Sequence, residues 1–224
     1  MQLKTLPQLF IFAICLFLTS CSNFFSEKNG GLILPDGFEA VVVVDSLPGR
    51  ARHLALNDNG DIYVKGNRFV EGGMNFVLRD ENKDGRADII KNFGPKIREG
   101  AYATSMRIHN GYLYTSSEML VYRYKLDAKS MVPMGEPEYI VIDSGRRREH
   151  DGKPLAFDGK GHIFVPFGAP SDACQVENRL PGSPGMNPCP ILDSNAGVWM
   201  FDENKLNQFR TIDGVKVATG LRSL

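Results

Sequence analysis

A pattern that recurs about every 50 residues constrains this chain more than any other feature of its sequence. Three segments each combine a short apolar strand, a turn with glycine, and a second strand that carries an aromatic residue. They are HLALNDNGDIYVKGN from His53, SMRIHNGYLYTSS from Ser105 and KPLAFDGKGHIFVPFG from Lys153. Their turn glycines, Gly60, Gly111 and Gly161, lie 51 and 50 residues apart. Because glycine supplies the positive φ that tight turns need, each segment predicts a β-hairpin.

A second pair of strands follows in each repeat, which makes about four strands per unit. The alternating runs are NFVLRD from Asn75, LVYRY from Leu120 and GVWMFD from Gly197. A period near 50 residues with four strands per unit predicts an all-β fold of the β-propeller type. A β-sandwich would explain the alternation but not the fixed spacing. Residues 34–224 allow about three to four four-stranded blades, so we expect an incomplete arc from a truncated chain or a fragment.

The first residues predict a lipoprotein signal peptide (1–20) and a flexible tether (21–33) before the propeller (34–224). The apolar run that follows Lys4 is too short to span a membrane. Its end, Leu18-Thr19-Ser20-Cys21, resembles a bacterial lipobox, which implies cleavage before Cys21 and a lipid on the Cys21 sulfur. The expectation is an exported bacterial lipoprotein, held at the outer membrane by its N-terminal lipid. An ordinary secretory leader with an incidental cysteine is the alternative.

The two cysteines after the signal peptide and Cys21 predict a disulfide. Cys174 and Cys189 would remain in an exported mature chain, so a disulfide between them is expected. The intervening segment has three prolines, two glycines and no periodicity, and closing it contributes about 3 kcal/mol on the loop-entropy account.

The chain has 26 basic and 26 acidic residues, and this balance gives no argument for a nucleic-acid partner.

An acidic loop between two strands predicts a calcium site. Asp80, Asn82, Asp84 and Asp88 place oxygen ligands at loop positions 1, 3, 5 and 9, and Gly85 permits the sharp turn. Lys91 stands where an EF-hand has a bidentate glutamate, and no helices are predicted on either side. A solvated turn between strands is the alternative.

Glu149 and His150 form the candidate catalytic pair. A histidine beside a carboxylate at the entrance of a strand can act as a general base near neutral pH. Three arginines, Arg146 to Arg148, precede the pair and would attract an anionic cofactor or substrate. A surface loop with solvated charges is the alternative. Of the other histidines, His53 could face the propeller axis, whereas His109 and His162 are expected to be exposed at turns.

The stretch HDGKPLAFDGKGHIFVPFGA resembles the histidine-bearing segment of the quinoprotein glucose/sorbosone dehydrogenases. The segments CQVENR, PCPILDSNAGVWMFD and ATGLR, with the opening LPDGFEAVVVVDSLPGRARHLAL, resemble the sorbosone-type branch of that family. The resemblance implies a six-bladed propeller with pyrroloquinoline quinone (PQQ) on its axis. It also implies that His150 takes the substrate hydroxyl proton while hydride passes to the quinone, with Glu149 at its side.

The same resemblance implies a cofactor contact from Arg222, and the run of three arginines makes Arg148 a second candidate cofactor contact. It makes the chain a dehydrogenase of a sugar or a related alcohol or aldehyde, with an unidentified electron acceptor. The family's remaining basic contacts to the quinone lie beyond Leu224, so this chain alone is expected to be inactive. Two alternatives stay open because propellers host many functions. One is a lipoprotein that binds carbohydrate or protein without catalysis, and the other is a lactonase-like enzyme.

Overall fold

The computed structural model describes residues 28–68, 70–94, 105–143 and 149–223. The predicted signal peptide, Cys21 and Arg148 lie outside these residues. The chain divides into two units at Val41–Val42. In the first unit, a short 3₁₀ segment covers Lys28–Gly31, and the Ala40 backbone N–H donates to the Asn29 side chain at 3.2 Å. Among the described residues, no helix is long and apolar enough to cross a membrane.

The second unit is built almost entirely of β-strands. They are β1 (Ala51–Leu56), β2 (Ile62–Gly66), β3 (Asn75–Arg79), β4 (Ile89–Phe93), β5 (Ser105–His109), β6 (Tyr112–Ser116), β7 (Leu120–Lys125), β8 (Glu138–Ile142), β9 (Ala156–Phe157), β10 (His162–Phe167), β11 (Gly197–Asp202), β12 (Gln208–Phe209) and β13 (Val215–Thr219). Two helices of four residues each, α1 (Ile191–Ser194) and α2 (Arg210–Asp213), interrupt them.

The strands form three antiparallel sheets, one for each sequence repeat. Their orders are β1-β2-β3-β4, β5-β6-β7-β8 and β9-β10-β11-β13, and β12 adds to β8 in parallel. Each sheet is a meander of four neighbouring strands, which is the construction of a propeller blade. The prediction of an all-β, incomplete propeller arc of about three to four blades is therefore confirmed, with three blades among the described residues.

Alternation along the strands decides which side chains lie between the sheets. Tyr63 in β2 and Tyr124 in β7 pack with Phe93 between the first and second sheets. Tyr114 in β6 packs between the second and third sheets, in one cluster with Ile163, a residue of β10. The edge-to-face pair Phe93–Tyr124, with ring centroids 5.4 Å apart, contributes about 0.5–1.5 kcal/mol beyond its buried area. Both clusters form because side chains one residue apart point to opposite faces.

One side chain of the first sheet is exposed where its counterparts in the other two sheets are buried. One apolar residue occupies the same place in each of the three repeats. It is Leu54 in β1, Met106 in β5 and Leu155, which comes directly before β9. Met106 and Leu155 are 2% and 3% exposed, whereas Leu54 is 65% exposed. Within the described residues, no sheet covers this part of β1.

Candidate functional site

The candidate site forms where three distant segments of the chain meet at Gly168, directly after β10. A Cβ atom on Gly168 would lie 2.0 Å from the carbonyl oxygen of His150 and 3.0 Å from that of Arg222. The Ala169 backbone N–H donates to the same Arg222 carbonyl at 2.9 Å. Only glycine allows this approach, because any side chain would push the His150 and Arg222 segments apart.

The segment that carries His150 is also anchored on its C-terminal side. Lys153 and Asp143 are almost completely buried, with the Lys153 Nζ 3.5 Å from an Asp143 oxygen. Lys153 Nζ also donates to the Glu118 carbonyl, and the Ser116 hydroxyl donates to the Lys153 carbonyl at 2.8 Å. These contacts attach the residues before β9 to the second sheet. His150 therefore lies in an anchored loop, six residues before the strand itself.

The His150 imidazole is held by the backbone through its Nδ1 atom. Its backbone has a φ of 51°, in the left-handed region, and its side chain is 10% exposed. Nδ1 lies 2.7 Å from the Ala169 carbonyl oxygen, and since a carbonyl only accepts, we assign the hydrogen to Nδ1. Nε2 is then the nitrogen that can accept a proton, and it lies 3.3 Å from Asp172 Oδ1.

Asp172 links the histidine to two arginines. Arg222 contacts Oδ1 through its Nε at 2.8 Å and its Nη2 at 2.7 Å. Arg179 Nε donates to Oδ2 at 2.7 Å. The hydrogen bond from Arg179, followed by that from Arg222, holds the pKa of the Asp172 carboxyl below its ordinary value. Asp172 therefore remains a carboxylate beside His150 across the physiological range.

Glu149 does not contact the imidazole in the way the sequence suggested. Its carboxylate accepts a hydrogen bond from the Asn178 side chain at 3.1 Å and lies 3.2 Å from Arg179 Nη2. The groups that contact the ring directly are the Ala169 carbonyl and Asp172. The expected adjacent carboxylate is thus supplied mainly by a residue 22 positions further along the chain, because the loop after β10 folds back over His150.

Glu149, His150 and Asp172 could together hold a metal ion, since one ligand atom from each lies within 4.8 Å of the others. Histidine nitrogen with two carboxylates is a donor set that suits zinc and similar divalent cations. Both carboxylates already pair with the Arg179 guanidinium. A metal at this position would have to replace that guanidinium.

A small cavity adjoins the pair formed by Asp172 and Arg222. Its volume is about 140 Å³, and its walls include the Cys174–Cys189 disulfide, α1 and Ala196. The disulfide is present as predicted, with a Cα–Cα distance of 6.1 Å. The segment that it closes lies close to His150, because Asn178 and Arg179 contact Glu149.

The predicted calcium loop is ordered by its own backbone. Asp80 accepts hydrogen bonds from the backbone N–H groups of Lys83 (2.7 Å) and Gly85 (2.8 Å), and Asp88 accepts one from Glu81 (2.7 Å). The side chains of Asn82 and Asp84 also contact each other, at 3.1 Å. Calcium binding at Asp80, Asn82, Asp84 and Asp88 stays a prediction.

The other histidines have three different environments. His162 is 41% exposed and bonds to Asp158, as expected for a turn residue. The expectation of an exposed His109 is wrong, because its ring stacks on Phe157 with centroids 4.1 Å apart and bonds to the buried Glu203 at 3.1 Å. His109 therefore joins the second and third sheets.

His53, the third of these histidines, lies in β1 among cations. Burial, and then the charges of Arg52 and Arg107, lower the pKa of the His53 imidazole. Arg107 belongs to β5, the neighbouring first strand of the second sheet. A site role for His53 stays a prediction.

Sequence reasoning missed Asp172 and Arg179. Asp172 belongs to no local motif, and Arg179 ends the CQVENR segment, whose resemblance to the sorbosone-type branch assigned no role to this residue. Position gave a further signal: Asp172 lies four residues after Gly168, and Arg179 lies inside the segment that the disulfide closes. Their role depends on contacts with Glu149, His150 and Arg222, which only the folded chain provides.

Comparisons with known proteins identify the fold. No protein-family model and no curated protein sequence matches the chain. The holo form of the PQQ domain of pyranose dehydrogenase from Coprinopsis cinerea is similar in structure, with a TM-score of 0.57 and 13% identity over 78% of this chain and 39% of that one. An iodide structure of a Trichoderma reesei carbohydrate-active enzyme of family AA12 gives a TM-score of 0.57 and 13% identity, over 81% of this chain and 43% of that one.

A calcium structure from the same Trichoderma reesei family gives a TM-score of 0.53 and 11% identity, over 78% of this chain and 41% of that one. The chain thus spans about two fifths of the length of these structures. At such low identities, the similarity establishes the propeller-type fold.

Proposed function

We propose that this chain is part of a quinoprotein oxidoreductase that oxidises a sugar, or a related alcohol or aldehyde, with His150 as the general base. The observation that carries the proposal is the His150 imidazole, whose Nδ1 is fixed by the Ala169 carbonyl while Nε2 can accept a proton. The structural similarity to a PQQ domain and to AA12 enzymes supports the cofactor class. The resemblance of the histidine-bearing segment supports the sorbosone-type substrate class.

The residues around His150 fit an anionic quinone. Arg222 is 54% exposed, and its Nη1 has no partner within the described part of the chain, so it retains N–H donors for a carboxylate or quinone oxygen. When bound, PQQ supplies a two-electron acceptor for the oxidation. Arg222 would hold the cofactor, and Arg148 is proposed to add a second contact. Calcium is proposed to accompany the cofactor, which a calcium structure among the similar solved structures supports.

The chain's own residues would move the proton. His150 Nε2 would take the hydroxyl proton of the substrate, while Nδ1 continues to donate to the Ala169 carbonyl. The imidazolium that forms would lie 3.3 Å from the Asp172 carboxylate, which stabilises the new positive charge. Arg179 and Arg222 keep that carboxylate ionised and oriented.

The test is a dye-linked oxidation assay with PQQ and calcium, run on the full-length gene product with a panel of aldoses, sorbosone and simple alcohols. His150→Ala should lower kcat by about 10²–10⁴-fold, the usual contribution of a general base. His162→Ala is the matched control, because among the described residues its exposed imidazole bonds only to the turn residue Asp158. Full quinone-dependent activity in His150→Ala would refute the assignment of the base, and no oxidation of any substrate by the wild-type protein would refute the proposed function.

We also propose that the mature chain begins at a lipidated Cys21 and is anchored in a bacterial outer membrane. The Leu-Thr-Ser-Cys sequence supports this proposal. Mass spectrometry of the membrane fraction should find a diacylglyceryl group on the N-terminal cysteine, and an unmodified Cys21 in soluble protein would contradict it.

A further inference from the structure

The segment closed by the disulfide is itself well organised. Gln175 forms a β-bridge with Gly185, and the Val176 backbone N–H donates to the Pro184 carbonyl at 3.0 Å. The Gln175 side chain donates to the carbonyls of Leu180 and Ser183. These bonds hold residues 175–185 in one conformation. They therefore also fix the positions of the side chains at the tip of this segment.

Two residues at that tip contact both acids beside His150. Asn178 accepts a hydrogen bond from the Asp172 backbone N–H at 3.1 Å and donates to Glu149 Oε1 at 3.1 Å. Arg179 lies 2.7 Å and 3.4 Å from the two Asp172 oxygens and 3.2 Å from Glu149 Oε2. Asn178 and Arg179 therefore bridge Glu149 and Asp172, the two acids whose carboxylates lie near His150.

Electrostatics explains why a cation is needed at this point. Two carboxylates whose oxygens approach within 4.8 Å repel one another unless a positive group lies between them. The Arg179 guanidinium contacts both, and its fork of N–H donors matches a carboxylate better than a single ammonium does. It raises no desolvation problem, because the Arg179 side chain is 57% exposed.

We propose that Asn178 and Arg179 form a clamp, delivered by the Cys174–Cys189 loop, in which the Arg179 guanidinium occupies the place of a divalent cation between Glu149, His150 and Asp172. Arg179 is a positioning residue: it keeps the two acids and the imidazole in place and excludes metal from them. The part of the inference that concerns catalysis rests on the proposed function, whereas the exclusion of metal does not.

The disulfide is the second part of this arrangement. Glu149 and Asn178 are 29 residues apart in sequence, and the loop that carries Asn178 has no packed core of its own. Without the covalent closure, ordering the loop would cost more conformational entropy, and the two contacts to Glu149 would form less often. Loss of the disulfide should therefore release the clamp without removing any of its charges.

Zinc titration of untagged, full-length protein by calorimetry tests the clamp. Arg179→Met keeps most of the side-chain length without the charge, and it should bind Zn²⁺ at least tenfold more tightly than wild type. Arg179→Lys keeps a charge and should show a smaller gain. The combination Arg179→Met with His150→Ala should lose the gain, which assigns the zinc to this site. Lys205→Met is the matched control, because the Lys205 side chain is 58% exposed and, within the part of the chain that the structure describes, pairs only with Asp213.

The double variant Cys174→Ser/Cys189→Ser tests the loop, since serine does not bind zinc as a free thiol would. It should also gain zinc affinity, at least threefold. Arg179→Gln repeats the measurement if Arg179→Met folds poorly, with folding checked by the thermal transition. Zinc binding in these variants that is no tighter than in wild type would overturn the clamp.

Kinetics adds a separate readout. In the dye-linked assay, Arg179→Met should lower kcat more than it changes KM, and Arg179→Lys should recover part of the loss. If the wild-type protein oxidises no substrate, the proposed function fails while the zinc titration still decides the clamp.

Discussion

Two acidic clusters in this molecule use their carboxylates in opposite ways. In the Asp80–Asp88 loop, the oxygens accept hydrogen bonds from backbone N–H groups at most seven residues away. In the cluster of Glu149, His150 and Asp172, the partners are side chains of Asn178, Arg179 and Arg222, up to 50 residues away. The first cluster is completed by its own loop, and the second is completed by three segments of the chain.

This difference separates a local motif from an assembled site. The loop of residues 80–88 keeps its shape through turns that its own sequence encodes, so it needs little from the rest of the fold. The His150 cluster exists only if β10, the disulfide loop and the segment around Arg222 reach their places together. We therefore expect perturbations of the fold to damage the second cluster far more than the first.

The largest expected effect comes from Gly168→Ala. The added Cβ would lie 2.0 Å from the His150 carbonyl oxygen, so the backbone must move, at a cost of about 2–3 kcal/mol. Gly185→Ala is the control, since its Cβ would meet no atom within 4 Å and its φ is not positive. Urea denaturation measures both. If the two variants are equally stable, the close approach at Gly168 does not hold the site together.

In the absence of PQQ, calcium should act on the first cluster alone. If the Asp80–Asp88 loop binds calcium, a concentration ten times the Kd stabilises the fold by about 1.4 kcal/mol, which raises Tm by about 3–6 °C. Asp84→Asn should remove most of this shift, whereas Asp172→Asn should leave it intact. A calcium shift that survives Asp84→Asn would place the ion elsewhere and leave the loop as a solvated turn.

The smallest effect concerns the pKa of a single carboxyl group. Arg179, and then Arg222, lower the pKa of Asp172, so this group binds its proton more weakly in the folded chain than in the unfolded one. Its stabilising contribution is therefore present above about pH 4 and is lost as the pH falls through the lowered folded pKa. Arg179→Met should raise the pKa of Asp172 in a carboxyl NMR titration.

Lys205→Met provides the comparison for that titration. Lys205, together with the Phe209 backbone N–H, lowers the pKa of Asp213, so this variant should raise the pKa of Asp213 and leave Asp172 unchanged. An Asp172 pKa that does not respond to Arg179→Met would show that Arg222 alone sets it.

The sequence by itself determined the parts of this protein that depend on near neighbours. The turn glycines Gly60, Gly111 and Gly161 and the alternating strands predicted the three sheets, because strand periodicity and turn conformation are properties of a few adjacent residues. Cysteine parity predicted the disulfide that the structure contains. The turn at Asp80–Asp88 was also recognised from adjacent residues, and calcium binding there stays a prediction.

Only the tertiary structure decided what surrounds His150. The sequence suggested Glu149 as the partner of the imidazole because it is adjacent, but the backbone at His150 turns into the left-handed region and Glu149 points to Asn178 and Arg179. Asp172 takes the place beside Nε2 because Gly168 lets the His150 and Arg222 segments approach. Contacts between residues 22 to 50 positions apart depend on how the sheets and loops pack, and no local pattern in the chain encodes them.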